Sequence, residues 1–130
     1  MKGLILRSLF AGMLFLFAVT RLAGQIPDDV VVSFRTGNAN TLSVYFNENI
    51  EMVVPDHDDV YSRAQAQQII SGFFSQNKAQ EFNIIHQGGK EGARYAIGNL
   101  KTDKGSFRVY FLLKEAGNKA YIHQLRIEKQ

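Results

Sequence analysis

The chain has 130 residues with no cysteine, and its 15 basic and 12 acidic residues give a formal net charge of +3 at pH 7. The absence of cysteine excludes disulfide bonds and thiol catalysis. The length suits one small domain that is stabilised by packing alone.

The first 24 residues have the organisation of a secretory signal peptide. Lys2 and Arg7 give a positively charged start, residues 9–19 are apolar or small, and small residues at 23–24 precede the mature chain. A permanent anchor is disfavoured because the apolar run is shorter than the ~20 residues that span a bilayer. We therefore expect a periplasmic or secreted protein with no membrane span after signal removal, and a single domain at residues 25–130.

Removal of this leader changes the charge balance. Lys2, Arg7 and Arg21 lie in it, so twelve bases remain against twelve acids. A nucleic-acid-binding surface needs a surplus of Lys and Arg to displace counterions from phosphates, so no nucleic-acid partner is expected. The remaining charge is uneven, because residues 25–77 carry a net charge of −5 and residues 78–130 one of +5.

Two helices are predicted at the start of the domain. The segment 27-PDDVVVSFRTG-37 has proline at the first helical position, two aspartates near the positive end of the helix dipole, and a glycine that can end the helix. Asn40 can then cap a short second helix at 41–46.

A strand and a longer helix follow. The segment 49-NIEMVVP-55 alternates apolar residues and ends at proline, which predicts a strand. The acidic segment 56-DHDD-59 is predicted to be a solvated loop. A helix is predicted at 62–76, because Ser62 and Gln65 match a capping box and the apolar residues recur at helical spacing.

From residue 81 onward the apolar residues alternate, with turn sequences between the alternating segments. This pattern predicts four strands joined by hairpins, at 81–87, 93–101, 106–114 and 119–129. Consecutive hairpins form an antiparallel meander. Three N-terminal helices packed on a curved antiparallel sheet make an α+β domain with its helices on one face.

This order of elements resembles the nuclear transport factor 2-like, cystatin-like cone over nearly all of the mature chain. The segments 36-TGNANTLSVYF-46, 63-RAQAQQIISGFF-74 and 82-FNIIHQGG-89 look like a family of small exported bacterial proteins known only as a domain of unknown function. The resemblance implies a wedge-shaped domain, often dimeric, with a pocket between the sheet and the helices. In that superfamily the pocket hosts isomerases, dehydratases and cyclases, and also many domains with no chemistry.

Catalysis in this superfamily typically uses a pocket aspartate or an Asp–His pair, and no acid of this chain aligns with such a group. Strand alternation predicts that two histidines and two tyrosines face the pocket: His86, Tyr95, Tyr121 and His123. They are candidates for orienting a small amphipathic ligand, and His86 is also a candidate general base. Alternatively, both imidazoles are core or rim residues that hydrogen-bond to backbone or tyrosine.

No metal or cofactor is expected. The segment 56-DHDD-59 matches neither the alternating oxygen ligands of a calcium loop nor a zinc ligand set. The glycines of 88-GGKEG-92 precede a strand rather than a helix, which indicates a hairpin and not a phosphate-binding loop.

Three arginines are expected on or near the opposite face of the sheet: Arg94, Arg108 and Arg126. This pattern fits three alternatives. The arginines can bind an anionic partner, they can lie in a homodimer in which the basic sheet meets acidic helices, or they can simply be solvated.

Three functions remain open at this point. The first is a non-enzymatic exported module that binds a small ligand or a protein, with a homodimer as the expected form. The second is a cofactor-free isomerase or dehydratase with His86 as base and Tyr95 or Tyr121 as oxyanion donor. The third is a structural module of the cell envelope, which a cone filled by Phe73, Phe74 and Phe107 would favour.

Overall fold

The computed structural model describes residues 25–130, and the predicted signal peptide at 1–24 lies outside this range. The elements in chain order are α1 (Asp28–Thr36), α2 (Ala39–Ser43), β1 (Phe46–Val54), β2 (His57–Ser62), α3 (Arg63–Gln76), β3 (Ala79–Lys90), β4 (Ala93–Thr102), β5 (Gly105–Ala116) and β6 (Lys119–Lys129). Within residues 25–130, none of the helices has the length and hydropathy needed to cross a bilayer.

The first helix forms for the reasons that the sequence predicts. Asp28 and Asp29 lie in the first turn of α1, and Gly37 ends the helix with a left-handed backbone (φ +66°). The amide of Gly37 donates to the carbonyl of Phe34, which satisfies a terminal acceptor. The second helix begins earlier than predicted, because its cap is Asn38, whose side chain accepts from the amide of Thr41.

The acidic segment predicted as a loop is instead the start of a strand. Pro55 and Asp56 form a two-residue turn in which Asp56 has φ +72°, and β2 then pairs antiparallel with β1. The residues from His57 to Val60 are all exposed. A sheet-edge strand with exposed side chains lacks the apolar alternation that marks a strand in sequence, so the pattern gave no signal.

The third helix confirms the predicted capping box. The side chain of Ser62 accepts from the amide of Gln65, and Gln65 accepts in return from the amide of Ser62. The helix buries Ala66, Ile70 and the adjacent Phe73 and Phe74, as the helical spacing predicts.

The six strands form one open, curved sheet in the order β2-β1-β6-β5-β4-β3. The meander from β3 to β6 is antiparallel as predicted. The sheet as a whole is mixed, because β1 pairs parallel to β6. This pairing places the β1–β2 hairpin at one edge of the sheet and β3 at the opposite edge.

The hydrophobic core lies between the helices and one face of the sheet. Phe34 on α1 packs against Phe82 and Phe111, with ring centroids 4.9 and 5.6 Å apart. Phe73 on α3 meets Phe107 edge-on at 5.0 Å. All five rings are buried, so phenylalanine fills the centre of the space between the helices and the sheet.

Candidate functional site

Paired residues on neighbouring strands share one face of a sheet, so the strand register shows which side chains lie away from the helices. We call the face of the sheet that points away from the helices the open face, and the face that packs against the helices the helix side. The open face includes eight half-buried or exposed side chains of the four central strands and β3: Glu51, Val53, His86, Tyr95, Ile97, Tyr110, Leu112 and Arg126.

His86 lies on the open face, so its predicted placement in the cone is wrong. The preceding Ile84 packs on the core, but the register shifts between Ile84 and His86. An extra residue at such a bulge moves the following side chain to the other face of the strand. His86 consequently pairs with Ile97 and is exposed.

Tyr95 also lies on the open face, because the predicted alternation of β4 is inverted. The residues on the helix side are Ala96, Gly98 and Leu100. A Cβ at Gly98 would lie 2.6 Å from the ring of Phe82. A residue without a side chain is therefore needed beneath this ring, and the alternation that places Gly98 there turns Tyr95 and Ile97 to the other face.

On β6 the predicted inward alternation holds for Leu125 and Ile127 but fails nearer the start of the strand. Ile122 is the buried residue there, since the register shifts opposite Leu112 and Leu113. Tyr121 pairs with Lys114 and so lies on the open-face side. His123 lies at the irregularity and is half-buried, and its pKa is lowered by burial and secondarily by the charge of Lys114.

Of the three arginines, two lie where they were expected. Arg108 and Arg126 are on the open face, and Arg126 forms an exposed ion pair with Glu128 at 3.3 Å. Exposed pairs of this kind contribute little stability. The prediction for Arg94 is wrong, because it pairs with Leu113 on the helix side, where its Nε is buried without a hydrogen-bond partner.

The open face holds an aromatic cluster at its β3–β5 half. The ring nitrogen Nε2 of His86 lies 3.0 Å from the hydroxyl of Tyr95, within hydrogen-bond distance. The rings of Tyr95 and Tyr110 lie 6.1 Å apart between centroids. This arrangement provides a flat surface with polar tips, and such surfaces suit protein contacts.

Sequence reasoning missed Val53, Tyr110 and Leu112 as candidates. A detectable signal existed in 106-SFRVYFLLK-114, where apolar residues occupy both alternating positions from Val109 onward. A strand with apolar side chains on both faces indicates that both faces are covered. Among the described residues, none covers the face of β5 that points away from the helices.

No group of three or more His, Asp or Glu residues in the described range lies close enough to hold a metal ion. His86 has a tyrosine as its hydrogen-bond partner rather than a carboxylate.

Comparison with known proteins decides the family. A model of a domain of unknown function, DUF4783, matches residues 27–128. The chain belongs to the DUF4783 family. The predicted membership of a family of unknown function is thereby confirmed, and a comparison with curated proteins finds no match.

Two crystal structures of DUF4783 proteins are similar over nearly their whole length. The protein from Bacteroides ovatus ATCC 8483 is 33% identical, with 83% of this chain and 98% of that chain covered and a TM-score of 0.78. The protein from Bacteroides fragilis YCH46 is 36% identical, with coverage of 82% and 100% and a TM-score of 0.76.

More distant structures share the fold alone. A domain of unknown function with a cystatin-like fold from Nostoc punctiforme PCC 73102 is 9% identical, covers 79% of this chain and 72% of its own, and has a TM-score of 0.64. Rd1NTF2_04 with long sheet is 21% identical, with coverage of 77% and 94% and a TM-score of 0.62. The DUF4783 domain is therefore an α+β domain of the nuclear transport factor 2-like and cystatin-like type.

Proposed function

We propose that this DUF4783 protein is an exported, non-enzymatic association module whose open face binds a second copy of the chain. The observation that carries the proposal is the set of half-buried apolar and aromatic side chains on a sheet face that no described element covers: Val53, Tyr95, Ile97, Tyr110 and Leu112. Contiguous uncovered surfaces of this kind mark interaction sites.

The charges on this face favour a second copy as the partner. The β1–β2 half carries the acids Glu51 and Asp58, whereas the β4–β5 half carries the bases Lys101, Arg108 and Lys114. In a two-fold symmetric interface the same surface meets itself. A two-fold axis that runs along the strands between β5 and β6 brings the acidic half of each copy against the basic half of the other.

One row of neighbouring side chains supports this pairing of the two copies. From β2 to β3 the row contains Asp58, Val53, Arg126, Tyr110, Ile97 and His86. The two-fold axis pairs the first residue of the row in one copy with the last residue of the row in the other copy. Asp58 then faces the imidazole of His86, Val53 faces Ile97, and the guanidinium of Arg126 lies over the ring of Tyr110, a favourable cation–π arrangement.

The face is large enough for a stable dimer. Six strands about 4.8 Å apart and about ten residues long present roughly 800 Å². A standard protein interface buries about 800 Å² on each partner. Two sheets that pack face to face keep their strands within about 30° of each other, which preserves the pairing along the row.

The packed core supports the non-enzymatic part of the proposal. The isomerase hypothesis needs His86 beside a cavity within the cone, whereas His86 lies on the open face and Phe73, Phe74 and Phe107 fill the centre of the cone. The filled cone also fits a structural module, and the uncovered open face is what favours an association module over it. The proposal of export rests on the sequence of residues 1–24. Mass spectrometry of the protein isolated from the periplasm or the medium should show a chain that starts near Gln25. A protein isolated from either place that still starts at Met1 would refute cleavage of a signal peptide.

Sedimentation equilibrium tests the dimer. We expect the purified protein to sediment as a dimer at micromolar concentrations and Tyr110→Glu to sediment as a monomer, because the new carboxylate would be desolvated at the centre of the interface. Val32→Glu is the matched control, since Val32 is 44% exposed but lies on α1.

Charge reversal tests the orientation. Asp58→Arg and His86→Glu should each weaken the dimer, and the double variant should restore it if the two residues face each other. A wild-type monomer would contradict the proposal and would favour a structural module without self-association. A dimer that persists in Tyr110→Glu would contradict the assignment of the interface to the open face.

A further inference from the structure

A cleft of about 450 Å³ lies on the helix side at the β2 edge of the sheet, away from the open face. Its walls are the β1–β2 hairpin and α3. Tyr61 and His57 line the hairpin side, and Gln68, Gly72 and Gln76 line the helix side. Its volume falls within the range of small-molecule sites.

The polar groups of the cleft are mainly uncharged amides. Gln68 and Gln76 come from α3, and Asn77 follows the helix. The side-chain Nδ2 of Asn77 donates to the carbonyl of Phe73, which leaves the Oδ1 of Asn77 available as an acceptor. Gln65 accepts the amide of Ser62 with its Oε1, so its amide nitrogen remains available as a donor. Amides offer both donors and acceptors, as hydroxyl groups require.

The apolar part of the cleft is aromatic. Tyr61 is half-buried, and the ring of His57 meets it edge-on with 6.3 Å between centroids. Phe73 and Ile69 extend the apolar wall below. An aromatic surface beside amide groups suits a ligand with an apolar C–H face and hydroxyl groups at its edge.

Gly72 has no packing role in the fold. It lies within α3, where glycine costs helix stability relative to alanine. A Cβ at this position would have no heavy atom within 4 Å, so no neighbour requires a glycine. The residue lines the cleft, and any larger side chain would project into that space.

We propose that this cleft is a binding site for a neutral saccharide, with the amides of Gln68, Gln76 and Asn77 as hydroxyl ligands and Tyr61 as the stacking surface. The one carboxylate at the cleft, Asp56, disfavours an anionic ligand. No lysine or arginine lines the cleft to bind a carboxylate, which disfavours a peptide terminus or an acidic sugar.

Titration followed by NMR tests the site. We would add glucose, N-acetylglucosamine and cellobiose to the ¹⁵N-labelled protein, up to concentrations that saturate a millimolar site. The expected result is a saturable shift of the side-chain amide signals of Gln68, Gln76 and Asn77 with at least one sugar. Glucuronate and diglycine are the anionic and peptide controls, and neither should shift these signals.

Two variants of one glycine separate binding from folding. Gly72→Leu should weaken sugar binding by more than about tenfold, because its side chain would project into the cleft, and should leave the protein folded because leucine is a good helix former. Gly72→Ala should retain binding. No shift with any of the three sugars, a shift with glucuronate or diglycine alone, or sugar binding that persists in Gly72→Leu would overturn the proposal.

The site is independent of self-association. Tyr110 lies on the opposite face of the sheet, so Tyr110→Glu should leave sugar binding unchanged. Failure of the dimer and failure of the saccharide site are therefore separate results.

Discussion

The packing beneath Phe82 gives a prediction with a defined sign. In Gly98→Ala, the added Cβ would lie 2.6 Å from the Phe82 ring and 2.9 Å from the carbonyl oxygen of Asn83. Cβ atoms do not approach other heavy atoms so closely, and Phe82 is only 1% exposed, so its ring has no free space into which to move. Overpacking of this kind costs about 1–3 kcal/mol.

Thermal unfolding measures this cost directly. Each kcal/mol shifts the melting temperature of a domain of this size by roughly 4–8 °C, so we expect a clear decrease. Gly72→Ala is the matched control, since the same change at a site with open space should raise stability by about 1 kcal/mol. A Gly98→Ala variant as stable as the wild type would refute the placement of Gly98 on the helix side and with it the face assignment of β4.

Two further predictions concern α3 and the histidine at the bulge. Ser62→Ala removes the hydroxyl that accepts the Gln65 amide and should lower the free energy of unfolding in urea by about 0.5–2 kcal/mol, and an unchanged value would contradict the capping role. The pKa of folded His123 lies below its ordinary value of 6.5, so the unfolded state binds the proton more readily, and stability should fall as the pH drops below 6.5. His123→Gln should reduce this pH dependence of the unfolding free energy, and an equal slope in both proteins would refute it.

The sequence predicted the elements with strong local signals. The capping box of Ser62 and Gln65 located α3, and Gly37 located the end of α1. The alternation of Phe107, Val109 and Phe111 placed β5 correctly, because a central strand with a regular register keeps its period of two.

The site residues could not be placed from sequence, because their orientation depends on tertiary packing. A register shift after Ile84 turned His86 to the open face, and no local sequence signal marks that bulge. On β4, the need for Gly98 beneath Phe82 outweighed the higher hydrophobicity of Tyr95 and Ile97. Hydrophobicity therefore gave the wrong face for this strand.

Sedimentation equilibrium of the wild type beside Tyr110→Glu and Val32→Glu tests the proposed association most directly. Our account predicts a dimer for the wild type and for Val32→Glu, and a folded monomer for Tyr110→Glu. A wild type that is monomeric at micromolar concentrations, or a Tyr110→Glu variant that remains dimeric, would contradict it.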